Sequence, residues 1–430
     1  YAASTKAVIR ITTKKIQGEG FGFDAKTTGE YDEKKNFSGY SQLNMSYRKN
    51  GLELGAYAFE ARQYQPGNLD LQQKTYLDKT WNQKSEIRQT GIVEAMNFRL
   101  DASYQLDANN SIGANFGILR NPKQTTNVDM STSILQDEDL SESSDSHIVI
   151  FEQKSTLSNN VYYVGKLGKL GIDFNTDWLW SKNNEDDVTK EQYQEVGMDA
   201  QSQTVHSLTN KYYHLLASKL ELSYPLLGGN LSLGGEYSNT HRTSKYQVVP
   251  TNLVSDDDSR ITESMTSSFL TYSRDFGNVS MEAGLRYEYI DFNYYEYSKY
   301  VPEQSKSYGN WFPSISLSMP VGKVQMQLSY AADINRPSYY YLRSGIQYAN
   351  RYTYETGNPF LVSEIRKNLN YELAYKWLTF DMTYCHTSNP IMSTVETYKD
   401  NPVIGLMKPV NENSYNDVEA SINLRPSFGI

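Results

Sequence analysis

Apolar and polar residues alternate with a period of two along most of the chain. Met96, Phe98, Leu100, Ala102, Tyr104 and Leu106 alternate with Asn97, Arg99, Asp101, Ser103 and Gln105. Ile172, Phe174, Trp178 and Trp180 alternate with Asp173, Asn175 and Asp177. Val279, Met281, Ala283, Leu285, Tyr287 and Tyr289 alternate with Ser280, Glu282, Gly284, Arg286 and Glu288, and the same rhythm returns from Lys323 to Tyr330. A strand sends successive side chains to opposite faces, so each segment has one oily and one wet face. Several run for about ten residues or more, close to the ~9–11 that a tilted strand needs to cross a bilayer. Strands of soluble proteins are nearer five or six residues, roughly half that.

Turn residues give a second pattern. Tight turns are predicted at Lys49-Asn50-Gly51, Asp107 to Asn110, Gly165 to Lys169, Pro225 to Gly229, Phe276 to Asn278, Pro320 to Lys323, Lys376 to Leu378 and Arg425 to Gly429. Between each pair lie a strand, a longer polar stretch and a returning strand. Short turns on one side and long loops on the other are the layout of a transmembrane antiparallel β-barrel, with the short turns periplasmic. The count gives roughly sixteen strands. Polar composition assigns loops to Gln136 through Ser146, Asn183 to Asp187, and Ser255 to Ser259. No domain boundary is visible within 18–430.

Composition narrows the class. Of 430 residues 38% are hydrophobic, and mean hydropathy is -0.63. No apolar run is long enough for a transmembrane helix. A barrel tolerates this polarity, because only alternate residues of each strand face lipid. The 36 tyrosines fit the two aromatic girdles of such a barrel. They fit a glycan-binding β-sandwich as well. The single cysteine, Cys385, excludes a disulfide framework, and the net charge of -9 argues against a nucleic-acid partner.

Two stretches carry a family resemblance. Ala7 to Lys15 (AVIRITTKK), followed by Gly18-Glu19-Gly20-Phe21, resembles the plug-to-barrel junction of TonB-dependent outer-membrane receptors, with Ala7 where that family usually has glycine. Asn335-Arg336-Pro337, a Tyr-rich loop, Gly357-Asn358-Pro359, Glu364 and the run Asn370 to Tyr375 resemble the mid-barrel signature of the same family, in its outer-membrane β-barrel branch. Leu361-Val362-Ser363-Glu364 lacks the proline usual there. The resemblance implies an all-β, transmembrane antiparallel β-barrel with roughly 16 of an expected ~22 strands present. It makes 1–17 the last segment of a plug domain and 18–430 the N-terminal part of the barrel. About three further hairpins are expected past Ile430. If sixteen strands close on themselves, Gly20–Phe23 and Val418–Leu424 should be neighbours.

The chemistry expected is that of a receptor. The five histidines are scattered, no nucleophile elbow or metal-ligand spacing appears, and no catalytic residue, metal or cofactor is assigned. The acidic clusters at Asp137, Glu185 and Asp256 read as solvated loops. Aromatic runs at predicted loop bases make Tyr294, Tyr340 and Tyr352 candidates for solute contact. Glu282, Arg286 and Glu288 point into the lumen if Leu285 and Tyr287 face lipid, and are candidates for plug or wall contacts. Expected partners are outer-membrane lipid and lipopolysaccharide, TonB in the intact protein, and a surface lipoprotein or other outer-membrane subunits. The expected location is the cell outer membrane. The rival readings are a plugless barrel serving as a structural subunit, and a soluble glycan-binding β protein.

Overall fold

The structure is a computed structural model, and it describes residues 18–33, 35–399 and 401–426. The expected plug segment at 1–17 lies outside the described residues. The wall begins with β1 (Gly20–Tyr31), β2 (Phe37–Lys49), β3 (Leu52–Tyr76), β4 (Thr80–Gln105), β5 (Ser111–Gln136) and β6 (Asp139–Leu167). It continues through β7 (Leu170–Glu195), β8 (Gln201–Leu226), β9 (Gly229–Val249), β10 (Asp257–Phe276) and β11 (Val279–Glu296). A two-residue strand, β12 (Lys299–Tyr300), folds back on the end of β11, and β13 (Lys306–Val321) and β14 (Val324–Asn335) follow. The chain then leaves the wall for a small hairpin, β15 (Ile346–Asn350) and β16 (Thr353–Thr356). It returns as β17 (Glu364–Tyr375) and β18 (Leu378–Ser388), leaves again as β19 (Ile391–Tyr398) and β20 (Asn401–Asn411), and rejoins as β21 (Tyr415–Leu424). Successive wall strands pair antiparallel from β1 to β21, which makes sixteen besides β12. The wall is the all-β outer-membrane barrel the alternation predicts.

Seven of the eight predicted turns fall between consecutive strands at the same end of the sheet. Several need a left-handed backbone, supplied at Asn50-Gly51 (φ 50° and 80°) and at Gly168 (φ 62°). The eighth turn runs into 427–429, outside the described residues. All three predicted loops are corrected in whole or in part, the last because β10 already begins at Asp257. β5 runs on through Gln136, β6 starts at Asp139, and β7 passes through Asn183 to Asp187 without a break. These stretches rise above the bilayer, where neither face of a strand meets lipid. Their polarity therefore reports height above the membrane rather than a turn.

The outward face of β8 locates the bilayer. Tyr212, Leu216, Leu220 and Tyr224 are all exposed on one face. At ~3.3 Å per residue the two tyrosines stand ~40 Å apart along the strand, which at a ~45° tilt projects to ~28 Å, the thickness of the hydrocarbon core. Ala217, Lys219 and Glu221 alternate with them and face inward. Strands β3 to β8 have 25 to 29 residues, more than twice the ~9–11 needed to span. One side of the barrel is thus a tall wall, and the side built by β14, β17, β18 and β21 is low, with strands of 10 to 12 residues.

β1 pairs with β2 alone and β21 with β18 alone among the described residues, and both are exposed along their whole length. No register joins Gly20–Phe23 to Val418–Leu424, so the neighbouring position expected of a self-closing sixteen-strand wall is not seen.

Candidate functional site

The two excursions from the low side meet in the barrel mouth. β15, β16, β20 and β19 form a separate four-stranded sheet, antiparallel within each hairpin and parallel where Thr353–Glu355 meets Gly405–Met407. One apolar cluster seats this sheet on the tall wall: Val205, Tyr246 and Val248 from β8 and β9 pack against Tyr348, Tyr354 and Leu406. A second seats the loop base: Ile261, Met265, Ile290, Phe292 and Tyr294 pack against Leu342 and Leu361. The mouth is therefore roofed by the chain itself.

The tip of the β15–β16 hairpin is tied to β6 and β7 by two buried carboxylates. Glu191 accepts from the Tyr348 hydroxyl at 2.7 Å and from the Arg351 backbone N–H at 3.1 Å. Glu142 accepts from Arg351 Nε at 2.7 Å and from the Tyr352 hydroxyl at 2.8 Å. The Arg351 guanidinium also lies 3.4 Å from the Tyr193 ring centroid. Burial pushes the Glu191 carboxyl up, and the bonds from Tyr348 and Arg351 pull against it. Neither carboxylate was singled out in the sequence: each sits in a polar run that carries no motif, and its partners lie more than 150 residues away.

The family signature builds the roof's hinge with the wall. Arg336 bonds Glu288, which also accepts from Arg286 Nε at 2.5 Å, and Arg286 in turn bonds Glu236 on β9. The chain of charges runs minus, plus, minus, plus, and Glu288 is only 1% exposed. Removing any one member would leave a buried charge uncompensated. Gly357 sits so close to its neighbours that a Cβ there would come within 2.4 Å of the Arg343 carbonyl oxygen and 2.6 Å of the Tyr341 carbonyl oxygen. Asn358 donates from its side chain to the Pro409 carbonyl at 3.1 Å, joining the two excursions, and its Oδ1 accepts from the Phe360 N–H. Glu364 accepts from Arg366 Nε and from the Ile391 N–H. Asn335 pairs with Glu364 across the two strands that launch and receive the loop.

The candidate solute contacts divide. Tyr294 is 0% and Tyr352 1% exposed, so both are sealed inside the packing and neither is open to a solute in this conformation. The sequence offered them as open to a solute, and the roof that covers them folds from residues far along the chain. Tyr340 is 38% exposed; its hydroxyl bonds Glu355, and its ring lies 3.8 Å from the Arg343 guanidinium. Glu282, Arg286 and Glu288 do share one inward face, opposite exposed Leu285 and Tyr289. Glu282 is exposed near the periplasmic end and lines a cavity of ≈ 360 Å³ with Asn230, Arg274 and Ser316. Arg286 ties β11 to β9 through Glu236, and Glu288 ties the wall to the loop base through Arg336.

A tall, girdled antiparallel wall with a polar lumen and a loop-roofed mouth is the architecture of an outer-membrane β-barrel. Residues 165–428 match the outer membrane protein beta-barrel family, and the chain belongs to that family. Its place is the cell outer membrane. Comparison with curated protein sequences returns no match. Among solved structures, the ferric enterobactin receptor PfeA of Pseudomonas aeruginosa superposes with a TM-score of 0.57 at 14% identity, over 96% of this chain and 61% of that one. The siderophore receptor PirA of Pseudomonas aeruginosa gives 0.53 at 14% identity, over 96% and 64%. The Serratia marcescens hemophore receptor HasR gives 0.52 at 12% identity, over 94% and 60%. The chain thus spans about three fifths of each of these structures. The likeness is one of fold.

Proposed function

We propose that this chain is the barrel wall of a TonB-dependent receptor that takes up a scarce solute. The observation that carries the reading is the roofed mouth: a general pore is served by an open lumen, whereas a receptor needs a capture surface that controls entry. Tyr340, exposed beside the Arg343 guanidinium at the roof, is the residue best placed to meet a solute from outside. A plug occupying the polar lumen and pulled through TonB would complete the cycle, with residues 1–17 as its final segment.

The rival is a plugless barrel that serves as a structural subunit of a larger outer-membrane assembly. It draws support from the Glu236–Arg286–Glu288–Arg336 network, which balances the wall's own charges without any plug. The intact protein in outer-membrane vesicles decides between them. The receptor reading expects binding to the periplasmic domain of TonB and uptake of at least one labelled solute from a panel of iron chelates, heme, cobalamin and oligosaccharides. That uptake should vanish when TonB is deleted. TonB binding absent in the intact protein would sink the receptor reading and leave the structural one.

A further inference from the structure

The three tallest hairpins end in turns that carry large apolar side chains in full view. Tyr76 and Leu77 at the β3–β4 turn are 73% and 58% exposed, Leu140 beside the β5–β6 turn is 52% exposed, and Val196 and Met198 at the β7–β8 turn are 63% and 62% exposed. Aqueous exposure of five such side chains at one rim is unfavourable, at roughly 25 cal/mol per Å² of apolar surface. They stand far above the tyrosine girdle, so lipid does not cover them.

The three turns are not independent. Thr80 donates its N–H to Asp137 Oδ1 at 2.9 Å and receives the Asp137 N–H on its carbonyl at 2.9 Å. The Val196 N–H donates to the Ser141 carbonyl at 2.9 Å. The tips thus form one hydrogen-bonded rim, and a partner binding there would not have to order three separate loops. The rim is also charged. Asp78, Asp137, Glu138, Asp139, Glu195 and Asp199 are exposed around the apolar residues, against two bases, Lys74 and Lys79.

From this juxtaposition we propose that the tips of β3–β4, β5–β6 and β7–β8 form a docking surface for a protein partner with a basic, apolar-studded face. Charge complementarity selects the occupant. Lipopolysaccharide and other anionic envelope polymers are repelled by the acidic collar, whereas a basic protein is steered to it and then covers the apolar centre. The surface lies just above the Glu142 and Glu191 ties that hold the roof, and a failure to dock a partner there would leave the receptor reading untouched.

The test uses the intact protein in the envelope of the bacterium that makes it. A photo-crosslinking amino acid is placed at Leu140 or Met198, with Leu220 in the lipid-facing belt as control. The expected result is one protein adduct from both tip positions and none from Leu220, with the crosslinked segment of the partner carrying net positive charge. Replacing Asp137, Glu138 and Asp139 together by Asn, Gln and Asn should cut the adduct yield about tenfold, and raising salt from about 0.05 M to about 0.5 M should do the same to the parent protein. Heat-modifiable gel mobility reports whether the charge variant still folds, and the salt series stands if it does not. No adduct at either tip, adducts only with lipid or lipopolysaccharide, an acidic partner segment, or a yield indifferent to both charge removal and salt would each overturn the proposal.

Discussion

The Tyr348 hydroxyl donates to the Glu191 carboxylate at 2.7 Å across the barrel mouth, from a loop that starts on the low side to β7 in the tall wall. That bond, with the Arg351 N–H on the same carboxylate oxygen, fixes the hairpin tip. Glu191→Ala strands both donors in a buried site and should cost about 1–3 kcal/mol. Tyr348→Phe removes one bond and should cost about 1 kcal/mol. The double variant should show a coupling of about 0.5 kcal/mol or more in urea unfolding of the refolded protein, because the two groups share one contact. Additive losses would mean that the tip is held by packing alone.

Much of the wall was legible because strand alternation and turn chemistry are local. Met96 to Leu106 can be read as a membrane crossing from the sequence, and Gly51 or Gly168 as a turn. The roof was not legible. Tyr352 and Tyr294 look like members of an aromatic girdle until Glu142 and Leu342 are brought to them, and that meeting depends on two excursions folding inward over a wall formed much earlier in the chain. The polar stretch at Asn183 to Asp187 misled for a related reason: with lipid on neither face, a strand loses the contrast that marks it.

Gly357 gives the signature glycine a steric meaning. Gly357→Ala puts a methyl group within 2.4 Å of the Arg343 carbonyl oxygen, and backbone must move to admit it. A cost of about 1–3 kcal/mol is expected, with the roof loosened and protease sites in 338–362 opened. Gly168→Ala meets open space at a left-handed φ and should cost about 1 kcal/mol, with no effect on the roof. Limited proteolysis of the two variants separates the cases. Equal cleavage would remove the steric explanation.

Glu288 joins two arginines that belong to different parts of the structure, one on its own wall strand and one at the loop base. Glu288→Ala should cost about 3–5 kcal/mol, since it leaves Arg286 and Arg336 short of their shared counter-charge. A Glu288→Ala, Arg336→Ala double variant should recover part of that loss. Denaturant midpoints of the four proteins measure it, and a double variant no better than the single one would show that Arg336 does not depend on Glu288.

Asp187 stands above the girdle, opposite Ser207 and so five residues beyond Tyr212. Burial first, then the adjacent Glu185 and Asp186, push its carboxyl up to about 7. Asp257, at the start of β10, is pushed to about 6 by burial and by Glu296. An acid whose pKa is higher in the folded state binds more protons folded than unfolded, so stability falls as pH rises. The window runs from the ordinary carboxylate value of about 3.9 up to about 7. Melting temperature in detergent should therefore decline between about pH 5 and about pH 8. Asp187→Asn should flatten the upper part of that decline and leave the part due to Asp257. A profile that rises with pH, or one that Asp187→Asn does not change, would contradict the assignment.

Leu285 and Glu282 test which face meets lipid. Leu285 is 44% exposed on the outward face, in the belt below Tyr289, while Glu282 faces the lumen near the periplasmic end. A charge on the lipid face at mid-bilayer must be buried in hydrocarbon or dragged to the interface, so Leu285→Arg should cost about 2–4 kcal/mol. Glu282→Gln alters a group already in water and should stay within about 0.5 kcal/mol of the parent. Folding into lipid vesicles across a guanidinium series measures both. If the penalties came out reversed, the inward and outward faces of β11 would have to be exchanged. Arg286 and Glu288 would then lie in lipid, and the ties between wall and roof could not form.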